Sequence, residues 1–227
     1  MVVEDDAGNT KDWEALASAT RALRRLNQAV LNHEAADETL VELTEVIDQR
    51  AAQFESGAQR VRGADLMTFA HMRAFRDGTM ASTPIGERVN FDPFSPGGGY
   101  LHPSSVGFDA RLVDDSTLIA TATVGPMFQG PPGRVHGGIL ALLVDEILGT
   151  LMVVGGLQAF TARLEVTYLA AAPTGAELTF RAEVGELQGR NLTIRTEGTS
   201  SEGKFLEAEG LFITVDMAKI IEFDSEN

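Results

Sequence analysis

The spacing of apolar residues changes along the chain, and each change marks an element. Over residues 12–32, Leu16, Leu23, Leu26 and Val30 recur at helical spacing, with Arg21, Arg24 and Arg25 between them. Over 37–55 the stripe is clearer: Leu40, Leu43, Ile47, Ala51 and Phe54 share one face, and Asp37 is placed to cap the helix. The two helices, joined near 32–36, read as a helical hairpin that packs against the main domain or a partner subunit. A run around Leu66–Phe75 predicts a further short helix.

From Val106 the period becomes two. Residues 106–113 and 117–124 read as strands, and after one helix the pattern returns over 160–169, 177–184, 191–199 and 205–215. The joints are rich in turn formers, as at Pro173–Gly175, Gln188-Gly189 and Ser200–Gly203. The order β-β-α-β-β-β-β does not alternate, so the class is α+β with a largely antiparallel sheet. The single helix inside that order is apolar nearly all round and must be covered on most sides. A sheet curling around it, or a second subunit, meets that need.

These patterns divide the chain into a helical extension (1–76), a Pro/Gly-rich connector (77–105), a main domain (106–217) and a tail (218–227). The connector holds Gly97-Gly98-Gly99, but no Gly-Lys-Ser/Thr follows, so a flexible turn is expected rather than a phosphate loop. Charge narrows the partners. With 18 Lys+Arg against 33 Asp+Glu, the formal charge of −15 argues against nucleic acid and anionic membranes. The chain has no cysteine, which excludes disulfides, thiolate metal sites and cysteine nucleophiles. The first residues lack a basic start and an apolar core, and the run 139–154 is interrupted by Asp145, Glu146 and Gly149. A cytoplasmic protein is the expectation.

Candidate chemistry concentrates in 133–149, GRVHGGILALLVDEILG. His136, Gly137 and Gly138 stand at the mouth of an apolar run, and Asp145 and Glu146 lie inside it. An ionised carboxylate among such neighbours is costly unless compensated. Glycines opening a helix leave free N–H groups at its positive end and let a ligand approach the backbone. Glu146 lies about 100° around the helix from Asp145, so the two acids cannot serve one site. His33, His71 and His102 are scattered without metal-ligand spacing, so no metal is expected, and no Gly-x-Ser-x-Gly elbow is present. Arg134, Arg163 and Arg190 are the basic residues placed to meet an anionic substrate, although surface arginines would read the same way.

The stretches GPPGRVHGGILALLVDEILG (130–149), TARLEVTYLAAAP (161–173) and EAEGLFITV (207–215) resemble the hotdog-fold acyl-CoA thioesterases, in the phenylacetic-acid-pathway-like branch. The resemblance covers about 106–215 and leaves the helical N-terminal third outside the minimal fold. It implies an antiparallel sheet wrapped around a long central helix, and hydrolysis of an acyl-CoA to free acid and CoA. It implies that Asp145 is the general base or nucleophile, that the Gly137 N–H polarises the carbonyl, and that Thr161 orients the water. His136 is implied to tie down the helix entry, with general acid as its other role. Gly138, Gln129, Gly130, Arg134 and Arg163 become candidate substrate contacts. Some relatives place an asparagine or glutamine upstream of the histidine; here Gly130 takes that position with Gln129 beside it, a departure at the second polarising group. The resemblance further implies a homodimer or tetramer and no cofactor beyond the CoA of the substrate. A non-catalytic hotdog module that binds acyl-CoA, or only assembles, is the alternative.

Overall fold

A computed structural model describes residues 12–79 and 83–215; the proposed tail 218–227 lies outside them. Six antiparallel strands form one sheet: β1 (Asp109–Asp114), β2 (Thr117–Thr123), β3 (Ala159–Tyr168), β4 (Glu177–Gln188), β5 (Asn191–Ser200) and β6 (Gly203–Thr214). Their spatial order is β1-β2-β4-β5-β6-β3. The long crossover from β2 to β3 carries the central helix, Gly137–Val154. The expected α+β class and hotdog architecture are both present.

Alternation explains the sheet. Leu178, Phe180 and Ala182 of β4, with Leu192 and Ile194 of β5, point inward and are buried, while their neighbours face out. Onto this face the central helix lays Leu140, Leu143, Val144, Ile147, Leu148 and Leu151, all almost fully buried. Each such side chain stabilises the fold by about 1.5–3 kcal/mol relative to exposure. By length and composition the helix would pass for a membrane span, but half of it is buried inside the protein. Its remaining face, including Leu142, Asp145 and Gly149, stays partly open.

The two sheet edges differ. The connector runs along β1, where Gly86 and Val89 N–H groups donate to Leu112 and Ala110 carbonyls at 2.8 and 2.9 Å. On the opposite side β3 pairs, among the described residues, with β6 alone, and most of its residues are exposed. An unpaired strand edge is a template for another strand.

The N-terminal third forms four helices: α1 (Glu14–Asn32), α2 (Asp37–Glu55), α3 (Arg62–Leu66) and α4 (Ala70–Arg76), so the central helix is α5. The single short helix expected near 66–75 is two, broken at Met67–Phe69. A second small core of Trp13, Ala17 and Leu101, flanked by Leu16, Phe69 and Phe94, docks α1 and the connector. Trp13 stacks on Phe69 and its indole N–H donates to Thr68 Oγ1 at 2.9 Å. One expectation needs correction. Asp37 is not the cap of α2; Ala36 holds that position, and Asp37 sits in the first turn, where its charge suits the helix dipole. Of the two places expected for the Leu40–Phe54 stripe, the main domain of the same chain does not cover it: α2 buries no residue, and Phe54 is 79% exposed, which leaves a partner subunit as the other.

Gly97-Gly98-Gly99 is not a flexible turn. All three residues are buried. A Cβ on Gly97 would come within 2.3 Å of Glu146 Cγ, one on Gly98 within 2.4 Å of the Phe91 ring, and one on Gly99 within 2.4 Å of the Ser95 nitrogen. The glycines let the connector press against α5 and the Phe91–Phe108 stack, whose centroids are 4.6 Å apart.

Candidate active site

α5 begins at a built cap. His136, with extended backbone, takes the N-cap position, and its Nδ1 accepts the Gly138 N–H at 3.0 Å. The His136 carbonyl accepts the Ile139 and Leu140 N–H groups at 2.9 and 3.2 Å, and its own N–H donates to Phe128 at 2.9 Å. Of the first helical amides, those of residues 138–140 are therefore satisfied. The Gly137 N–H is the one that no described residue takes. The sequence placed both glycines against the substrate; the structure occupies the Gly138 amide with the cap. An Nδ1 that accepts a hydrogen bond leaves His136 acting here through its backbone position and its cap.

The loop before the cap is held from within. Gln129 Oε1 accepts the Gly133 N–H at 3.3 Å, and the Gly130 N–H donates to the Arg134 carbonyl at 2.8 Å. A Cβ on Gly130 would sit 3.2 Å from His136 Cα, so glycine allows this loop to lie close under the cap. The Gln129 carboxamide serves the turn in this arrangement.

Beside the cap opens a hollow of about 300 Å³ lined by Val135, Gly137, Leu140, Tyr168, Leu169 and Ala172. The Tyr168 hydroxyl donates to the Gly137 carbonyl at 2.7 Å. Sequence reasoning passed over Tyr168, although a tyrosine ending a strand beside an apolar helix mouth was the available signal. A larger hollow, about 430 Å³, lies at the other edge, among Ile85, Arg111, Val113 and Ile119. Its one acid, Asp109, is paired with Arg88 and Arg111, so this hollow offers no reactive group.

Farther along α5, Asp145 is partly exposed and accepts the Thr161 hydroxyl on Oδ1 at 3.0 Å. A carboxylate held on one oxygen keeps the other for a water. Glu146 turns away, into the connector. The Ser95 hydroxyl and the Gly97 backbone bond to it, but burial dominates and raises its pKa above the ordinary carboxylate value, helped by the nearby charges of Asp92 and Asp145. The adjacent acids thus have separate surroundings, as their angular separation on a helix requires.

The arginines are engaged. Arg134 pairs with Glu202 at 2.6 Å and donates to the Ala171 carbonyl at 3.1 Å. Arg163 faces Glu209 at 3.6 Å, and Arg190 donates to the Thr214 carbonyl at 3.0 Å. Both Arg134 and Arg163 remain more than a third exposed. Within one chain the Gly137 amide and Asp145 lie eight residues apart on a helix, about 12 Å along its axis. The free amide and the carboxylate are thus two separate groups on one helix rather than neighbours.

Comparison with known proteins agrees with this architecture. Residues 132–206 match the family profile described as the thioesterase superfamily. The chain is 32% identical to the acyl-coenzyme A thioesterase THEM4 of Bos taurus over 108 residues, 47% of this chain and 44% of that protein. It is 33% identical to the THEM4 of Xenopus laevis over 120 residues, 50% of this chain and 53% of that protein. The chain thus spans about half the length of the curated relatives it matches. A crystal structure of a thioesterase superfamily protein superposes with a TM-score of 0.70 at 25% identity, covering 90% of this chain and 93% of that one. That likeness of fold reaches into the N-terminal helices, well before the profile begins.

Proposed function

We propose that this chain is an acyl-CoA thioesterase that hydrolyses its substrate to a free acid and CoA. It works as a homodimer in which Asp145 of one copy and Gly137 of the other face the same carbonyl. The observation that carries this reading is the pair of half-sites on α5: a carboxylate oriented by Thr161, and an amide left free by the His136 cap. The names of the curated relatives and the thioesterase superfamily profile support it. The open edge of β3 supports the pairing of two copies.

In the step we infer, a water bonds to the free oxygen of Asp145 and gives it a proton as the water oxygen attacks the thioester carbon. The carbonyl electron pair moves to oxygen and is held by the Gly137 N–H of the other copy. Collapse re-forms the C=O and breaks the C–S bond. The proton held by Asp145 passes to the CoA sulfur. A positioned carboxylate base contributes about 10²–10⁴-fold and one oxyanion donor about 10²–10³-fold. In the variant of this step where Asp145 attacks directly, the C–S bond breaks as an acyl–Asp145 anhydride forms and CoA leaves as the thiolate; water then cleaves the anhydride to the free acid, restoring the Asp145 carboxylate and supplying the proton that the thiolate takes up. The reaction needs no cofactor beyond the CoA of the substrate.

The test is thiol release from short, medium, long and aromatic acyl-CoAs, read with a disulfide dye. The chain has no cysteine, so the enzyme gives no background. Wild type is expected to turn over at least one class, and Asp145→Asn to lose about 10²-fold or more with its fold intact. Tight binding of acyl-CoA with no turnover by wild type would replace this reading with a binding module. Turnover that survives Asp145→Asn would remove Asp145 from the mechanism.

A further inference from the structure

β3 pairs with β6 as Thr161↔Phe212 and then Arg163↔Leu211, so Ala162 is the extra residue of a bulge. Strict alternation would send Thr161 and Tyr168, seven residues apart, to opposite faces of the sheet. The bulge shifts the phase once. Leu164 and Val166 then pack against the core, Tyr168 follows them toward α5, and Thr161 reaches the same helix from the other side of the bulge. One strand therefore ties both chemical ends of α5: Thr161 at Asp145, 3.0 Å, and Tyr168 at the Gly137 carbonyl, 2.7 Å.

The second tie has a specific consequence. The Gly137 N–H shares a planar peptide with the His136 carbonyl, which the Ile139 and Leu140 N–H groups hold, and the wide φ and ψ of glycine let the next peptide plane turn against it unless something restrains that turn. The Gly137 carbonyl belongs to that next plane, so anchoring it restrains the rotation between the two. The Tyr168 ring also packs against the glycine, since a Cβ there would lie 3.4 Å from the ring.

We propose that Tyr168 is a positioning residue: by donating to the Gly137 carbonyl, it fixes the aim of the Gly137 N–H toward the thioester oxygen. This rests on the hydrolysis reading above. The experiment compares the full chain with Tyr168→Phe, which keeps the ring and removes the hydroxyl, on an acyl-CoA that wild type turns over. We expect kcat to fall about tenfold, a fraction of the about 10²–10³-fold lost when an oxyanion donor is removed altogether. KM should stay within about twofold, because the ring still lines the hollow. In ¹⁵N-labelled protein the Gly137 amide resonance should shift while the resonances of the distant β1–β2 hairpin stay in place. An unchanged kcat, or a rise in KM alone, overturns the proposal while leaving hydrolysis standing. Wild type that releases thiol from no acyl-CoA removes the hydrolysis reading, and this inference with it.

Discussion

Two inactive chains should make an active protein. Gly137 and Asp145 of one copy are about 12 Å apart along a straight helix, whereas the amide must reach the carbonyl oxygen, and the carboxylate the water attacking that carbonyl, each at about 3 Å. If the missing partner of each comes from a second copy, a chain lacking the amide and a chain lacking the carboxylate complement each other. Asp145→Asn removes the base. Gly137→Pro removes the N–H with little cost to the helix, because proline is favoured at the first helical position. The residue before it, His136, already has φ −63° and ψ 133°, the extended backbone that precedes proline comfortably. Each variant alone should fall about 10²-fold or more in thiol release. Co-refolded at equal amounts, half of the dimers are mixed and each mixed dimer has one intact site of two, so the mixture should recover about a quarter of wild-type activity. Mixed dimers isolated through two different tags should reach about half. A mixture no more active than its parents would refute the shared site.

Two further predictions concern the back of α5. Gly97→Ala places a Cβ 2.3 Å from Glu146 Cγ in a buried setting, so it should destabilise by about 1–3 kcal/mol, read as a lowered midpoint in urea unfolding; an unchanged midpoint would mean that the connector does not press on α5. Glu146→Gln tests burial of the second acid. Because burial raises the Glu146 pKa above 4.5, its contribution to stability is full below that value and is lost as pH rises through the folded pKa. The glutamine variant lacks this loss, so its Tm relative to wild type should climb as pH rises from 4.5 through the folded pKa of Glu146. A difference that stays constant with pH would show that Glu146 titrates normally.

The parts of the fold that follow from period were legible in the sequence. The strands, the apolar α5 and its His136–Gly138 opening come from alternation and from one helix that needs cover on every side. What was hidden depends on facts that period does not encode. The bulge at Ala162 leaves no trace in composition, yet it decides that Thr161 and Tyr168 serve the same helix. Glycine reads alike whether it supplies freedom or closeness, and at 97–99 it supplies closeness. The stripe of α2 was legible as amphipathic, but a stripe does not name what covers it. Arg134 and Arg163 looked available for phosphates because their partners, Glu202 and Glu209, lie on strands or turns distant in sequence.

The pair Asp145-Glu146 shows how one helix turn separates two uses of the same chemistry. The rotation of about 100° between neighbours sends one carboxyl to the open face and the other to the connector. On the open face, a single hydroxyl orients Asp145 and leaves an oxygen to work with. On the covered face, Ser95 and the Gly97 backbone hold Glu146, and burial favours its neutral form. Burial thus disfavours a second full charge beside the proposed base. The connector thereby does more than link the helices to the sheet. By wrapping Glu146, it sets the electrostatic surroundings of the turn on which the proposed base stands.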